Sequence, residues 1–399
     1  MHVVVCASID SSYVREWGDL LVRWLHVAAA IAWIGASFYF ILLDNHLQPP
    51  AKAEDAEAGV MGELWEVHGG GFYHVQKYRV APRVLPERLA WFKWEAYTTW
   101  LSGFALLCIV YFSNARAYLI DKSVADLTVP EAIAISVGLL IAAWVVYDVI
   151  CRMLGRWPKL LALALFGFIA LSAYVAGRLF APRAMFIEVG SMIGTMMVGN
   201  VFFVIIPAHW ELIRAKQAGR EPDPAPGIKA KLRSVHNNYL TLPVLLAMLS
   251  NHFPFVYGHD HSWLVLCAFV ALGAYVRHFF NLRHAGRTRW SMPVVAAAAV
   301  LALAIWLAPP DESSAPASST AVAAGKRVFL TAGCAQCHTL RDANATGRVG
   351  PDLDAAKPSR ALVVNRVTNG QGVMPSFSNK LSKQHIEQVA DYVSSVAGH

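Results

Sequence analysis

Residues 287–320 read RTRWSMPVVAAAAVLALAIWLAPPDESSAPASST. After Arg287, Arg289 and Trp290 come eighteen residues, Ser291 to Ala308, that carry no charge. A helix of that length crosses most of a hydrocarbon layer ~30 Å thick. Pro309 to Thr320 then turns small, polar and rich in Pro and Ser, the composition of a flexible tether. The stretch predicts a last membrane span ending near 308, a linker over 309–320 and a soluble domain over 321–399.

Seven more apolar runs lie upstream, at 18–44, 95–114, 130–152, 158–181, 184–213, 234–252 and 261–281, and the quoted one covers 289–308. Together they predict an all-α fold, a polytopic eight-helix transmembrane bundle over 1–308. The 399 residues are 56% hydrophobic and 15% charged, whereas soluble domains average about 25% charged. One compact core could not hide so much apolar surface, which excludes a soluble globular enzyme. Residues 1–17 have no basic leader and no small-residue cleavage site follows, so the first run is read as a retained span. Of the six cysteines, Cys6, Cys108, Cys151 and Cys267 stand alone, as small apolar residues do.

The net charge of +7 sits in the loops, so no nucleic-acid partner is expected. Eight spans leave both termini on one side. Loops on that side hold five basic residues before the tail, and the opposite loops hold nineteen. Positive loops stay in the cytoplasm, so both termini and the C-terminal domain are expected outside.

That domain contains Cys334-Ala335-Gln336-Cys337-His338, a C-x-x-C-H motif. Two thiols so spaced form thioethers to the vinyl groups of a c-type haem, and the adjacent imidazole ligates the iron. A redox Cys-x-x-Cys or half a zinc site is the competing reading. Zinc needs further ligands, and the domain offers only His385 and His399. Met374, 36 residues beyond His338, offers a thioether for the sixth iron position. Gly350-Pro351-Asp352-Leu353 lies between the two ligands, and apolar helices flank them at 324–329 and 386–393. The whole of 321–399 resembles a small all-α class I cytochrome c domain.

Ionisable residues inside hydrocarbon are costly, so each suggests a function. Arg23, His26, Ala30, Trp33, Ser37 and Phe40 recur at helical spacing along the first span and predict an inward-facing stripe. Asn238, Leu245 and His252 form a second stripe, and the seventh span carries Arg277-His278. His26 and His252 both fall toward the outer side and form a candidate ligand pair for a b-type haem, which needs one imidazole from each of two helices at matching depth. For any single histidine near a span end the competing reading is an interfacial ring bonded to a backbone carbonyl. The loop over 63–78 gathers Glu63, Glu66, His68, three glycines, Tyr73, His74, Gln76, Lys77 and Tyr78, residue types suited to a flat heterocycle; an interfacial re-entrant loop with ordinary aromatic belt residues is the competing reading.

Three segments resemble those of the integral-membrane cytochrome c urate oxidases: Glu66 to His74, Trp91 to Trp100, and His236-Asn237-Asn238-Tyr239-Leu240-Thr241-Leu242-Pro243. The likeness extends over the whole chain. It implies oxidation of urate to 5-hydroxyisourate, with electrons passed to the fused haem c and on to a soluble or membrane-bound acceptor of the respiratory chain. The lipid bilayer would be a bacterial inner membrane with the haem domain periplasmic. Within that reading a neutral histidine takes a proton, and His68, His74 and His236 are the candidates. Asn237, Asn238 and Gln76 would pair with the purine amide edges, with Tyr73 or Trp94 beneath the ring and Lys77 or Arg79 favouring the anion. The rival from another class is an electron-transfer module that serves a quinol or a partner dehydrogenase without substrate chemistry. Trp24-Leu25-His26 through Trp33-Ile34-Gly35 also resembles the first helix of membrane protoporphyrinogen oxidases and copper-resistance proteins, which again points to His26.

Overall fold

The computed structural model describes residues 11–122, 124–308, 317–347, 350–371 and 374–398. Cys6 and the tether residues 309–316 lie outside the described residues. Eight helices answer the eight apolar runs: α1 (Ser11–His46), α2 (Trp94–Phe112), α3 (Val129–Leu154), α4 (Pro158–Gly177), α5 (Pro182–Gln217), α6 (Pro224–Leu249), α7 (Ser262–His284) and α8 (Ser291–Trp306). Proline within the first turn opens α3, α4, α5 and α6, where its missing N–H costs no intrahelical bond. The start of α3 adds a capping box between Thr128 and Glu131.

Six of the eight helices are long and apolar enough to cross a membrane, which makes this a membrane protein. The other two are α6 and α8. The first half of α6 is polar, with Lys229, Lys231, Arg233, His236, Asn237 and Asn238, and α8 is apolar but 16 residues long. Helix α5 is the centre of the bundle: 56% of its most apolar window is buried, against 11% in α1. Large side chains such as Trp24, Ile31, Leu101, Ile141 and Leu163 stay exposed on the outer faces, where a bilayer would cover them.

Two helices carry a π-helical turn, Leu107–Phe112 in α2 and Asn200–Ile205 in α5. The second has a visible cause. Pro207 offers no N–H to the preceding turn, and the chain absorbs the missing bond by widening there. Pro243 serves helix contact in α6: its ring lies against Gly273 of α7, where an added Cβ would fall 3.1 Å from it.

The segment expected to be a loop at 63–78 is instead an antiparallel hairpin, β1 (Val60–His68) and β2 (Gly71–Tyr78). Gly69 and Gly70 turn it with φ of 59° and 83°, values that fit a two-residue turn matched to strand twist. The hairpin leans on the end of α1. Tyr39 donates to Glu66 at 2.6 Å, and Lys77 pairs with Asp44.

A second hydrophobic core forms in the C-terminal part, built from α9 (Ala317–Thr331), α10 (Arg360–Asn369) and α11 (Lys383–Val396). Helices α9 and α11 cross at Gly325, where a Cβ would fall 2.1 Å from the Gln388 carbonyl oxygen. Phe329 meets Tyr392 edge-on at the same crossing. The motif turn touches the bundle: Gln336 donates to the Tyr257 hydroxyl at 3.4 Å.

Candidate functional site

Gly333 reverses the chain after α9 with φ of 82°, and Cys334–Gln336 form a short 3-10 turn leading to His338. His338 Nδ1 lies 3.0 Å from the Pro351 carbonyl oxygen. That bond fixes the ring and leaves Nε2 as the free nitrogen, the arrangement of a metal-bound histidine. A Cβ at Gly350 would fall 2.4 Å from the ring, so only glycine lets the chain pass so close. Met374 packs against the same core, and both motif cysteines are free thiols. The residues fit a covalent haem c, which Cys334 and Cys337 would tether and His338 and Met374 would hold through the iron. Among the described residues no group of three or more His, Cys, Asp or Glu gathers as a zinc site would need. Nearby, the Tyr392 hydroxyl and the Lys326 ammonium hold the Asp342 carboxyl below the usual carboxylate range.

Inside the bundle two polar clusters flank α6. The first joins α3, α5 and α6. His236 Nδ1 lies 2.8 Å from the Tyr147 hydroxyl, and Asn200 donates to Tyr147 and to Asn237, both at 2.8 Å. Arg233, 2% exposed, donates to Asp148 at 2.5 Å and reaches Asn200 at 3.3 Å. Asp148 also accepts from Arg152 at 2.6 Å. Asn200 belongs to the π-helical turn, which turns its amide toward both neighbours. The cluster is charge-paired, and among the described residues none of its buried side-chain polar atoms lacks a partner. An open cleft of about 530 Å³ beside it is lined by Cys151, Arg152, Ile228 and Lys229.

The second cluster joins α1, α6 and α7. Asn238 accepts from Arg277 at 2.8 Å and from Asn281 at 3.1 Å, and donates to the Ser37 carbonyl at 3.3 Å. Arg277 is 4% exposed, its guanidinium lies 4.0 Å from the centre of the Phe38 ring, and it meets no carboxylate among the described residues. Four polar atoms here have no partner: Ser37 Oγ, Arg277 Nη2, Asn281 Oδ1 and His284 Nδ1. The His46 and His284 rings stand 5.2 Å apart beside it.

The sequence candidates separate accordingly. His236 and Asn237 belong to the first cluster and Asn238 to the second, because neighbours on a helix point about 100° apart. His68, Tyr73, His74 and Gln76 sit on the hairpin instead. His68, Tyr73 and His74 are all exposed, and His74 stacks on Trp65 and lies 3.0 Å from Glu63. The Ala51 N–H and then His74 hold the Glu63 carboxyl below its ordinary range. The structure does not bring His68 and His74 to His236.

His26 and His252 do not form the expected ligand pair. His26 Nδ1 lies 2.9 Å from the Thr99 carbonyl and 3.2 Å from Ser102, and its ring covers Gly103. His252 is exposed beyond the end of α6, next to Asn251, which accepts from Tyr111 at 3.1 Å. Nine residues of α2 separate Ser102 from Tyr111, about 14 Å at 1.5 Å per residue. Two imidazoles at such different depths do not clamp one iron, so these residues do not fit a b-type haem between them. The stripe expected on α1 also turns only partly inward: Arg23 and Phe40 are exposed, and Arg23 pairs with Asp19. Sequence reasoning passes over Tyr147, Asn200, Arg233 and Asn281. An apolar helix carrying Arg277 and Asn281 four residues apart is the available signal for the last.

Comparison with known proteins follows the same division. A family described as "Urate oxidase N-terminal" matches residues 12–308, and one described as "Cytochrome C oxidase, cbb3-type, subunit III" matches residues 320–393. Cytochrome c6 of Rippkaea orientalis (strain PCC 8801 / RF-1) is 39% identical over 89 residues, covering 20% of this chain and 73% of that protein. Cytochrome c6 of Diacronema lutheri is 33% identical over 82 residues, covering 19% of this chain and 98% of that protein. The crystal structure of the c-type cytochrome SorU from Sinorhizobium meliloti is 48% identical, covers 20% of this chain and 95% of its own, and has a TM-score of 0.20. The chain belongs to the urate oxidase N-terminal family, carries a C-terminal cytochrome c domain, and is a cytochrome-linked redox protein.

Proposed function

We propose that this membrane protein oxidises urate to 5-hydroxyisourate within its helical bundle and passes the electrons to its own haem c. Urate and one water give 5-hydroxyisourate, two electrons and two protons, so no dioxygen enters the step. When bound, haem c with His/Met ligation would supply a one-electron acceptor of raised potential, so the two electrons of each urate would leave singly through it to a further acceptor of the respiratory chain. The chain's own part is to seat the purine, accept protons near it and hold the acceptor domain against the bundle. The boundaries 1–308, 309–320 and 321–399, eight crossings of a bacterial inner membrane, and a periplasmic haem domain delivering to the respiratory chain belong to this reading.

The observation that carries it is the contact between the C-x-x-C-H turn and the bundle, Gln336 to Tyr257 at 3.4 Å. It keeps the acceptor beside the family domain without a separate docking step. The end of α8 lies at the same end of the bundle, with the Trp306 ring 4.9 Å from that of His259. Of the three histidines considered as the base, His236 is inside the bundle, but its Nδ1 is already engaged by Tyr147.

The test is anaerobic mixing of urate with purified, oxidised full-length protein while the haem spectrum is followed. Reduction within seconds is expected. Prompt reduction by a quinol, with none by urate, would instead support the electron-transfer module.

A further inference from the structure

Arg233 and Arg277 are both buried in the bundle, and they differ in one respect. Arg233 is neutralised by Asp148, whereas Arg277, 4% exposed, has only the neutral Asn238 as a hydrogen-bond acceptor among the described residues. A buried cation without a counter-charge is strongly disfavoured, so a site built around one asks for an anion. The surrounding atoms say more about its shape. Arg277, Asn281 and His284 stand four and three residues apart, hence on one stripe of α7. Each offers an atom with no partner, Nη2, Oδ1 and Nδ1, and Ser37 Oγ faces the same cluster from α1. Asn281 and His284 are half-buried and lie one and two turns from Arg277 toward the end of the helix. An entering molecule would meet them first. The Phe38 ring stacks on the guanidinium and holds it in place.

We infer that Ser37, Asn238, Arg277, Asn281 and His284 form the seat of a planar, monoanionic heterocycle whose edge alternates carbonyl oxygens and ring N–H groups. Urate near neutral pH has this chemistry, so the inference rests on the function proposed above and assigns its substrate site. Arg277 supplies the charge and a donor for a carbonyl oxygen. Asn281 Oδ1 accepts from a ring N–H. His284 Nδ1 and Ser37 Oγ meet the remaining polar edge. The His236 cluster across α6 then plays a different part. Its buried polar atoms are already paired with one another, so it fixes α3, α5 and α6 together rather than receiving a ligand.

Asn281→Asp tests this without emptying the core. The new carboxylate sits beside Arg277 and supplies an internal counter-ion, so the fold is kept while the anion's place is taken. Urate binding is read by equilibrium dialysis against full-length protein reduced with dithionite, in which turnover is blocked, and KM is read from haem reduction. The expected result is at least a tenfold rise in both Kd and KM with an unchanged or higher Tm. Arg277→Gln should raise Kd similarly. Wild-type affinity and KM in Asn281→Asp would overturn the site while leaving urate oxidation standing. Absence of urate binding and of haem reduction in the wild type would overturn the proposed function, and this site with it.

Discussion

At the haem motif single atoms decide the outcome. His338 owes its orientation to one carbonyl, that of Pro351, and to the missing side chain at Gly350. Gly350→Ala would force a Cβ into the imidazole, and overpacking of this kind costs about 1–3 kcal/mol. Its Tm, read from the haem absorbance, is expected to fall by several degrees. On the proposed His338/Met374 ligation, Met374→Ala would remove the sulfur ligand and leave the cysteines untouched, so the reduction potential in a redox titration should drop clearly below the wild-type value. Asp342 gives a pH signature. Its carboxyl titrates below the ordinary range because Tyr392 and Lys326 favour the charged form. The stability it adds is therefore present above the unfolded value of about 3.9 and is lost as pH falls through the folded one. Asp342→Asn should be less stable at pH 7, and denaturation midpoints of variant and wild type should converge in acid. Its partner Lys326 is 41% exposed, so the difference at pH 7 stays within about 1 kcal/mol.

At the scale of elements, the helices are readable in the sequence and the way they face one another is not. Each of the eight apolar runs becomes a helix, because length and apolarity act within one segment. The haem motif is equally legible, since its two thiols and histidine are contiguous. The bundle sites depend on rotation and partners instead. The charge count places Arg233 and Arg277 among the nineteen loop cations, yet they are 2% and 4% exposed. Removing them leaves seventeen against five, and the charge bias keeps its direction. Asn200 gives no signal at all, because the widened turn that aims it follows from Pro207 seven residues later. The hairpin escapes because three consecutive glycines read as loop, whereas two of them make a tight turn between strands. Asp148→Asn tests the packing role of the first cluster. It leaves Arg233 buried and unpaired, a change that costs about 3 kcal/mol or more. A marked loss of Tm in detergent is expected, larger than for Arg152→Gln, whose side chain is 67% exposed.

For the whole molecule, the arrangement is a division of labour along the bundle. The cytochrome c domain rests at the end where Tyr257 lies, and both polar clusters lie toward the opposite half of α6. His236 and Leu249 are thirteen residues apart on that helix, about 20 Å. On the proposed seat beside Arg277, electrons from urate have most of the bundle to cross before they reach the haem domain. Urate oxidation by this route requires the covalent haem to be the obligatory exit for those electrons. The direct measurement is urate consumption by full-length Cys334→Ala/Cys337→Ala protein in native membranes with the respiratory acceptor present. Turnover should fall to background while urate still binds. Consumption at the wild-type rate would contradict an obligatory haem exit.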